Sequence, residues 1–316
     1  MERKSERSLS RRALLQAGMV TGAIAALGRS ALAAGANDAP ILRTIPSSGE
    51  RIPVVGIGTN AFDVTAAEDL AARKQVLEQL PRFGGSIVDT ARGYGRSEEV
   101  IGQLVAELGN RDALFLATKT PLSGEVSNPR AAVDAAFTRL RTDRIDLYEI
   151  HNFHGLKELL PVLMEYRQAK KIRYVGATTS VEPQHAQLIE AMKQYKLDFI
   201  QVNYSIADRA SAREVLPTAH DRGVAVLCNV PLGGRRGSFM PQLAKIPLPA
   251  FAAEIGAGSW AQLLLKYNLS QPGITAVIPG TTILAHLEDN QAAGRGILPD
   301  AALRRRIEDH WATLGL

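Results

Sequence analysis

The sequence predicts one parallel (β/α)8 barrel. Eight apolar, β-rich runs recur at 54–59, 86–89, 114–118, 145–150, 172–177, 199–203, 224–230 and 275–279. Helical patterns alternate with them, beginning near 65, 97, 129, 156, 183, 210, 248 and 284, several with Ser, Asn or Asp at the start and Gly or Asn at the end. Eight strand–helix repeats within about 250 residues is the count of such a barrel. A doubly wound open sheet is the alternative. It needs a Gly-rich phosphate turn after its first strand, and Gly56-x-Gly58 lacks both the third glycine and a helix directly after it.

In chain order, residues 1–33 read as a targeting segment. Ser10-Arg11-Arg12-Ala13-Leu14-Leu15 is close to a twin-arginine pattern, and Ala31-Leu32-Ala33 fits a small-x-small cleavage site. The run Ala17 to Leu27 is too short and too rich in Gly and Ala for a stable membrane span. Export by the twin-arginine (Tat) machinery to the periplasm or beyond is therefore expected, with 34–40 as a flexible linker and 41–316 as the folded domain. Residues 41–55 read as a small hairpin turning at Ser47-Ser48-Gly49, and Asp300 to Leu314 as a helix added outside the barrel.

Composition agrees with a large core: 46% of the 316 residues are hydrophobic. The net charge of +5 does not point to nucleic acid. Six of the 37 Lys and Arg and two of the 32 Asp and Glu fall in residues 1–33, which leaves the rest at +1. The single cysteine, Cys228, permits no internal disulfide, and its apolar run suggests packing.

A barrel places its chemistry at the carboxyl ends of its strands. Those ends carry Asp89, Lys119 and His151 after three successive strands, then Gln201 and Asn203, with Tyr94 in the loop after Asp89. Ser97-Glu98-Glu99 follows as a helix start, with Ser97 read as its N-cap and carboxylates in the first turn. The chemistry such a group could do is specific. A tyrosine titrates near ~10. An ammonium beside it favours the phenolate and lowers that value, a carboxylate fixes the ammonium, and a neutral imidazole can hydrogen-bond a carbonyl. The product is an acid that protonates an oxyanion while hydride reaches the carbon. No side chain carries hydride, so a nicotinamide cofactor is implied.

These motifs resemble the aldo-keto reductases. Asp89-Thr90-Ala91-x-x-Tyr94-Gly95 with Ser97-Glu98 resembles the family signature, Ala117-Thr118-Lys119-Thr120 its lysine strand, and Asp146-Leu147-Tyr148-x-Ile150-His151 its histidine strand. The likeness continues through Gly176 to Ser180, Gln201 to Tyr204, Val277 to Thr282 and Leu287 to Asn290, covering roughly residues 50–295. It implies a catalytic tetrad of Asp89, Tyr94, Lys119 and His151 that reduces aldehydes or ketones with NADPH, NADH being possible. It further implies cofactor contacts at Thr59, Asn60, Thr178, Thr179, Gln201, Asn229, Pro231, Leu232, Gly280, Thr281, Thr282, His286 and Asn290.

The departures are as informative. Thr178-Thr179 stands where the family commonly has Ser-Asn, and Asn229 where many members stack an aromatic on the nicotinamide. Gly280 and His286 replace cations that grip the adenosine 2′-phosphate, with Arg235 and Arg236 as candidates to compensate. His151 and His154 lack further ligands, so no metal is expected. Arg304-Arg305-Arg306 reads as a solvated charge run. Phe62 and Phe153 read as walls of a carbonyl pocket or as caps on the barrel top. Two functional classes follow: a carbonyl reductase, or a cofactor-sensing partner protein on the same scaffold. A binder needs neither Tyr94 nor Lys119, which favours the enzyme.

Overall fold

The computed structural model describes residues 39–124, 126–234 and 239–316. The twin-arginine segment, most of the linker, and Arg235 and Arg236 lie outside these. A compact unit runs from Pro40 to Leu316.

The hairpin pairs β1 (Leu42–Thr44) antiparallel with β2 (Arg51–Pro53), in the register Arg43 opposite Ile52. The barrel strands then follow in sequence order: β3 (Ile57–Gly58), β4 (Ile87–Asp89), β5 (Phe115–Lys119), β6 (Ile145–His151), β7 (Ile172–Thr178), β8 (Phe199–Asn203), β9 (Ala225–Asn229) and β10 (Ala276–Val277). Each pairs parallel with the next. Parallel bridges Val55 to Val277 and Gly58 to Gly280 close the ring. The closing strands are short, and at β3 the chain passes close to both neighbours. A side chain at Gly56 would come within 2.6 Å of the Ile87 Cβ, and one at Gly58 within 3.1 Å of the Ile278 carbonyl.

Helices α1 (Ala67–Gln79), α2 (Ser97–Leu108), α3 (Pro129–Leu140), α4 (Leu156–Gln168) and α5 (His185–Gln194) begin close to the expected positions. Two do not. The helix expected near 210 starts as a 3-10 turn at Ala210–Ala212, and α6 spans only Val215–Asp221. The one expected near 248 is a 3-10 segment, Ala250–Ile255, after a short α7 (Met240–Leu243). Gly256 breaks it in the left-handed region at φ 63°, and α8 (Trp260–Leu269) begins behind a Ser259 cap. The outer ring ends with α9 (Leu284–Ala292) and α10 (Ala301–Thr313).

Side chains alternate across a strand, and the inward set is sorted by depth. Ile87, Phe115, Leu147, Tyr174, Phe199, Ala225, Leu227 and Ala276 form an apolar interior cluster together with Ile45 and Ile52 of the hairpin, which plugs the amino-terminal mouth. The same rows continue upward as Asp89, Lys119, His151, Thr178, Gln201 and Asn229. Tyr174 ties the plug down, sharing its hydroxyl between Ser48 at 2.7 Å and Glu50 at 2.5 Å.

The foot of the barrel uses a repeated device. Asp146 accepts the Leu116 N–H at 2.8 Å, Asp198 the Val175 N–H at 3.0 Å, and Thr275 the Val226 N–H at 2.9 Å. Each satisfies a backbone donor of the preceding strand that would otherwise be buried without a partner. Cys228 is buried and its thiol donates to the Tyr204 carbonyl at 3.1 Å, in keeping with a packing role.

The arginine run is not uniformly solvated. Arg304 donates to the Tyr267 carbonyl and Ser270 hydroxyl, both at 2.6 Å, and to the Tyr204 hydroxyl at 2.8 Å, which fastens α10 to α8. Arg305 is exposed and Arg306 pairs with exposed Glu254. Phe62 is fully buried, and Phe153 nearly so, and both pack in the main apolar cluster.

Asp198→Ala should lower the unfolding free energy by about 3 kcal/mol, because it strips the Val175 N–H and the Arg167 guanidinium, at 2.9 Å, of their acceptor. Urea unfolding measures it, and a loss well under ~1 kcal/mol would show that the strand foot does not depend on this carboxylate.

Candidate active site

Asp89, Lys119 and His151 are the last residues of adjacent strands β4, β5 and β6. Lys119 is buried, and its ammonium spends all three protons. It donates to both Asp89 oxygens at 2.7 Å and to the Thr90 carbonyl at 2.8 Å. Tyr94 stands over it, with Nζ 5.3 Å from the ring centroid. The His151 ring meets the Tyr94 ring edge-on, centroids 6.3 Å apart and planes at 88°.

The turn that carries Tyr94 is locked from below. The Ser97 hydroxyl donates to the Thr59 carbonyl at 3.0 Å and lies 2.9 Å from the Thr90 hydroxyl, while Thr59 donates to the Asp89 carbonyl at 2.8 Å. Ser97 is therefore the first residue of α2 rather than its cap, which is Arg96. Glu98 is buried too, accepting from Thr118 and from Arg139, both at 2.6 Å. Burial lifts its carboxyl above the ordinary range. Gly95 sits at φ 60°, where a side chain would overlap the Asp63 carboxylate.

The electrostatics differ from expectation in one respect. Lys119 does pull Tyr94 down and is its strongest single influence, but burial together with the charges of Asp89 and Glu149 leaves the phenol above its usual value. Tyr94 is thus held in its protonated form. Burial alone would lower the Lys119 ammonium, and Asp89, Tyr94 and Glu149 carry it above the ordinary lysine range instead. His151 is pushed down to about 3, by burial first and Lys119 second, so its imidazole is neutral. Its Nδ1 is buried without a partner.

Glu149 was not singled out by the sequence. It lies two residues before His151, on the same inward face, opposite Lys119 in the register. Its neighbour Gln201 donates through Nε2 to Asp89 at 2.9 Å and to Glu149 at 3.0 Å. A lone Glu within an apolar strand was the available signal.

The structure brings part of the expected cofactor set to this cluster. Asn229, at the end of β9, donates to the Thr179 carbonyl at 2.9 Å and the Gln201 carboxamide at 3.3 Å, and its own Oδ1 is buried without a partner. Thr178 ends β7, whereas the Thr179 hydroxyl is committed to Gln184 at 2.5 Å. Pro231 is buried, its carbonyl held by Asn268 at 2.6 Å, with Leu232 packed beside the core. Thr59 is fully enclosed in the turn described above. Exposed Asn60 and Gly280 face each other across the barrel seam, where a Cβ on Gly280 would come within 3.3 Å of Asn60. Thr281 caps the following turn through the Ile283 N–H, Thr282 is half-buried, His286 is exposed on α9 and Asn290 is buried there. Asn203 turns to His185 at 3.0 Å and to Asp208 at 2.5 Å, away from the cluster. Among the described residues there is no group of three or more metal-ligating side chains, and His154 binds the Gly124 carbonyl at 2.9 Å.

A model of the aldo/keto reductase family matches residues 54–308. The chain belongs to that family. It is accordingly an oxidoreductase. The NADH-specific methylglyoxal reductase of Escherichia coli strain K12 is 33% identical over 301 residues, spanning 78% of this chain and 91% of the relative. An aldo-keto reductase of Schizosaccharomyces pombe, whose name specifies NADP(+), is 28% identical over 81% of this chain and 87% of its own. Among solved structures, the holo form of an aldo-keto reductase from Bacillus halodurans superposes with a TM-score of 0.69 at 25% identity, covering 85% of this chain and 96% of that one.

Unfolded histidine takes up its proton near ~6.5, and folded His151 only near about 3. Between those values the unfolded chain binds more protons, so His151 adds stability above the upper one that is lost as pH falls toward the lower. NMR of the imidazole should show no titration through the neutral range, and a midpoint near the unfolded value would refute the neutral assignment.

Proposed function

We propose that the protein reduces small aldehydes or ketones to alcohols with NADPH or NADH, Tyr94 serving as the proton donor. The observation that carries this reading is the buried Lys119–Asp89 pair beneath Tyr94, with neutral His151 across from it. A protein that only senses cofactor has no use for a protonated phenol held over a buried ammonium.

The chain's own residues suit a dinucleotide. Two buried polar atoms at the strand ends, His151 Nδ1 and Asn229 Oδ1, have no protein partner, and such atoms call for a ligand group. The nicotinamide end would be held by Asn229, Thr178 and Gln201. The phosphates and adenosine would be held by the Gly280–Thr282 turn with Asn60, His286 and Asn290. Once bound, the reduced nicotinamide supplies the hydride.

The protein's part is to place the carbonyl oxygen and manage its charge. His151 is neutral and can donate to that oxygen. Tyr94 transfers its proton to the oxygen as negative charge develops there, and Lys119 stabilises the phenolate that remains. Asp89 and the Thr90 carbonyl keep the ammonium from moving towards the substrate. Methylglyoxal, named for one relative, is a sensible first substrate to assay.

Tyr94→Phe should cut turnover by about a hundredfold or more while cofactor affinity, read by quenching of protein fluorescence, stays close to wild type. Wild-type turnover by that variant would remove Tyr94 from the role. With Gly280 and His286 in place of a guanidinium or ammonium, NADPH should be preferred over NADH by about tenfold or less in kcat/KM, roughly 1.4 kcal/mol. A ratio in the thousands would show that a cation beyond these positions grips the 2′-phosphate.

A further inference from the structure

We propose that Glu149 is a positioning residue whose carboxyl, joined through Gln201 to the Lys119–Asp89 pair, governs how readily Tyr94 gives up its proton. The proposal rests on the reading of Tyr94 as the proton donor.

The geometry builds a place for this carboxyl. Glu149 lies in the inward row between Leu147 and His151, where the layer below is wholly apolar. Gly176 of the neighbouring strand makes the room: a side chain there would come within 3.1 Å of the Glu149 Cγ and 3.2 Å of its Oε1. One Gln201 amide nitrogen bridges Glu149 and Asp89, which joins the two carboxyls into a single unit around one ammonium. Oε1 is buried with no partner. An apolar residue would fill this space more stably than an acid that leaves one oxygen bare.

The charged and titratable groups that face Glu149 are Lys119 from β5, Asp89 from β4, Tyr94 from the turn above, and neutral His151 on its own strand. With Glu149 protonated, Lys119 and Asp89 cancel. With Glu149 ionised, the cluster holds one negative charge in excess, which opposes formation of the phenolate. Burial, helped by Asp89 and opposed by Lys119, pushes the Glu149 carboxyl up to about 8, so the change falls within a working range of pH.

The consequence is directional. In carbonyl reduction Tyr94 acts as an acid. In alcohol oxidation its phenolate takes the hydroxyl proton as hydride leaves the carbinol carbon for the oxidised nicotinamide, so the alcohol loses two electrons and the cofactor gains them. An ionised Glu149 keeps the proton on Tyr94 and restrains oxidation.

The test is the pH profile of kcat/KM for alcohol oxidation in wild type, Glu149→Gln and Glu149→Asp. Glu149→Gln should move the inflection assigned to Tyr94 towards acid by about one unit, a tenfold change in proton affinity, and Glu149→Asp should keep the wild-type inflection. Profiles of Glu149→Gln and wild type that differ only in height would mean a structural role and overturn the proposal. The infrared band of a protonated buried carboxyl gives a readout without turnover, and its loss in Glu149→Gln separates it from any band of Glu98, whose carboxyl is lifted too. It should be present in the wild type at mildly acidic pH and vanish as pH passes about 8, and its absence at mildly acidic pH overturns the proposal even if Glu149→Gln does not fold. A wild type that turns over no aldehyde while the band still titrates would instead remove the enzymatic reading, and the proposal with it.

Discussion

The buried ion pair between Lys119 and Asp89 is the interaction on which this architecture depends. Moving an ammonium into a dry interior costs several kcal/mol unless its charge and every proton are matched, and here the carboxylate and the Thr90 carbonyl match them all. The pairing also joins two neighbouring strand ends at the height where the turn bearing Tyr94 departs. The hydroxyls of Thr59, Thr90 and Ser97 then fix that turn. Site and scaffold are one hydrogen-bonded body, which holds the Tyr94 phenol in one place over the ammonium.

The barrel can carry charge at its top because its lower half is filled. The hairpin supplies Ile45 and Ile52 to the interior, and Phe115, Tyr174 and Phe199 pack against one another with centroids 5.5 to 5.9 Å apart. These layers keep water from reaching the ion pair from beneath. The acceptors at the strand feet, Asp146 and Asp198 above all, hold each strand at one height relative to the next. A slip of one residue would turn Lys119 and His151 out of the barrel.

Much of this was legible in the sequence, because strand ends and chemistry coincide. Asp89, Lys119 and His151 each close an apolar run, so their convergence followed once the runs were read as one parallel ring. Tyr94 followed from its place in the loop after Asp89, and family resemblance alone suggested Asn229 and Gly280. Glu149 escaped because one Glu inside a mostly apolar strand has no local signature, and what makes it tolerable, Gly176 and Gln201, lies on other strands. The net effect on Tyr94 escaped for the same reason, since it is a balance among four groups. Ser97 was misplaced by a single position, because its hydroxyl is claimed by Thr59 and Thr90 across the turn instead of by its own helix. The segment after β9 was misread where Gly256 breaks a helical pattern that composition alone would have continued.

The brevity of β3 and β10 bears on how the chain reaches this form. Every other pairing in the ring joins strands that are consecutive in the chain, the longest connection being the one from β9 to β10 through α7 and α8. The contacts of Val55 with Val277 and of Gly58 with Gly280 join opposite ends of the barrel sequence, and the entropy of such a closure is recovered only when nearly everything between is already ordered. The strands bearing Asp89, Lys119 and His151 are consecutive and lie clear of that seam. The cluster of Asp89, Lys119 and His151 is therefore assembled from neighbours in the chain, while Asn60 and Gly280 come to face each other only after the ring has shut.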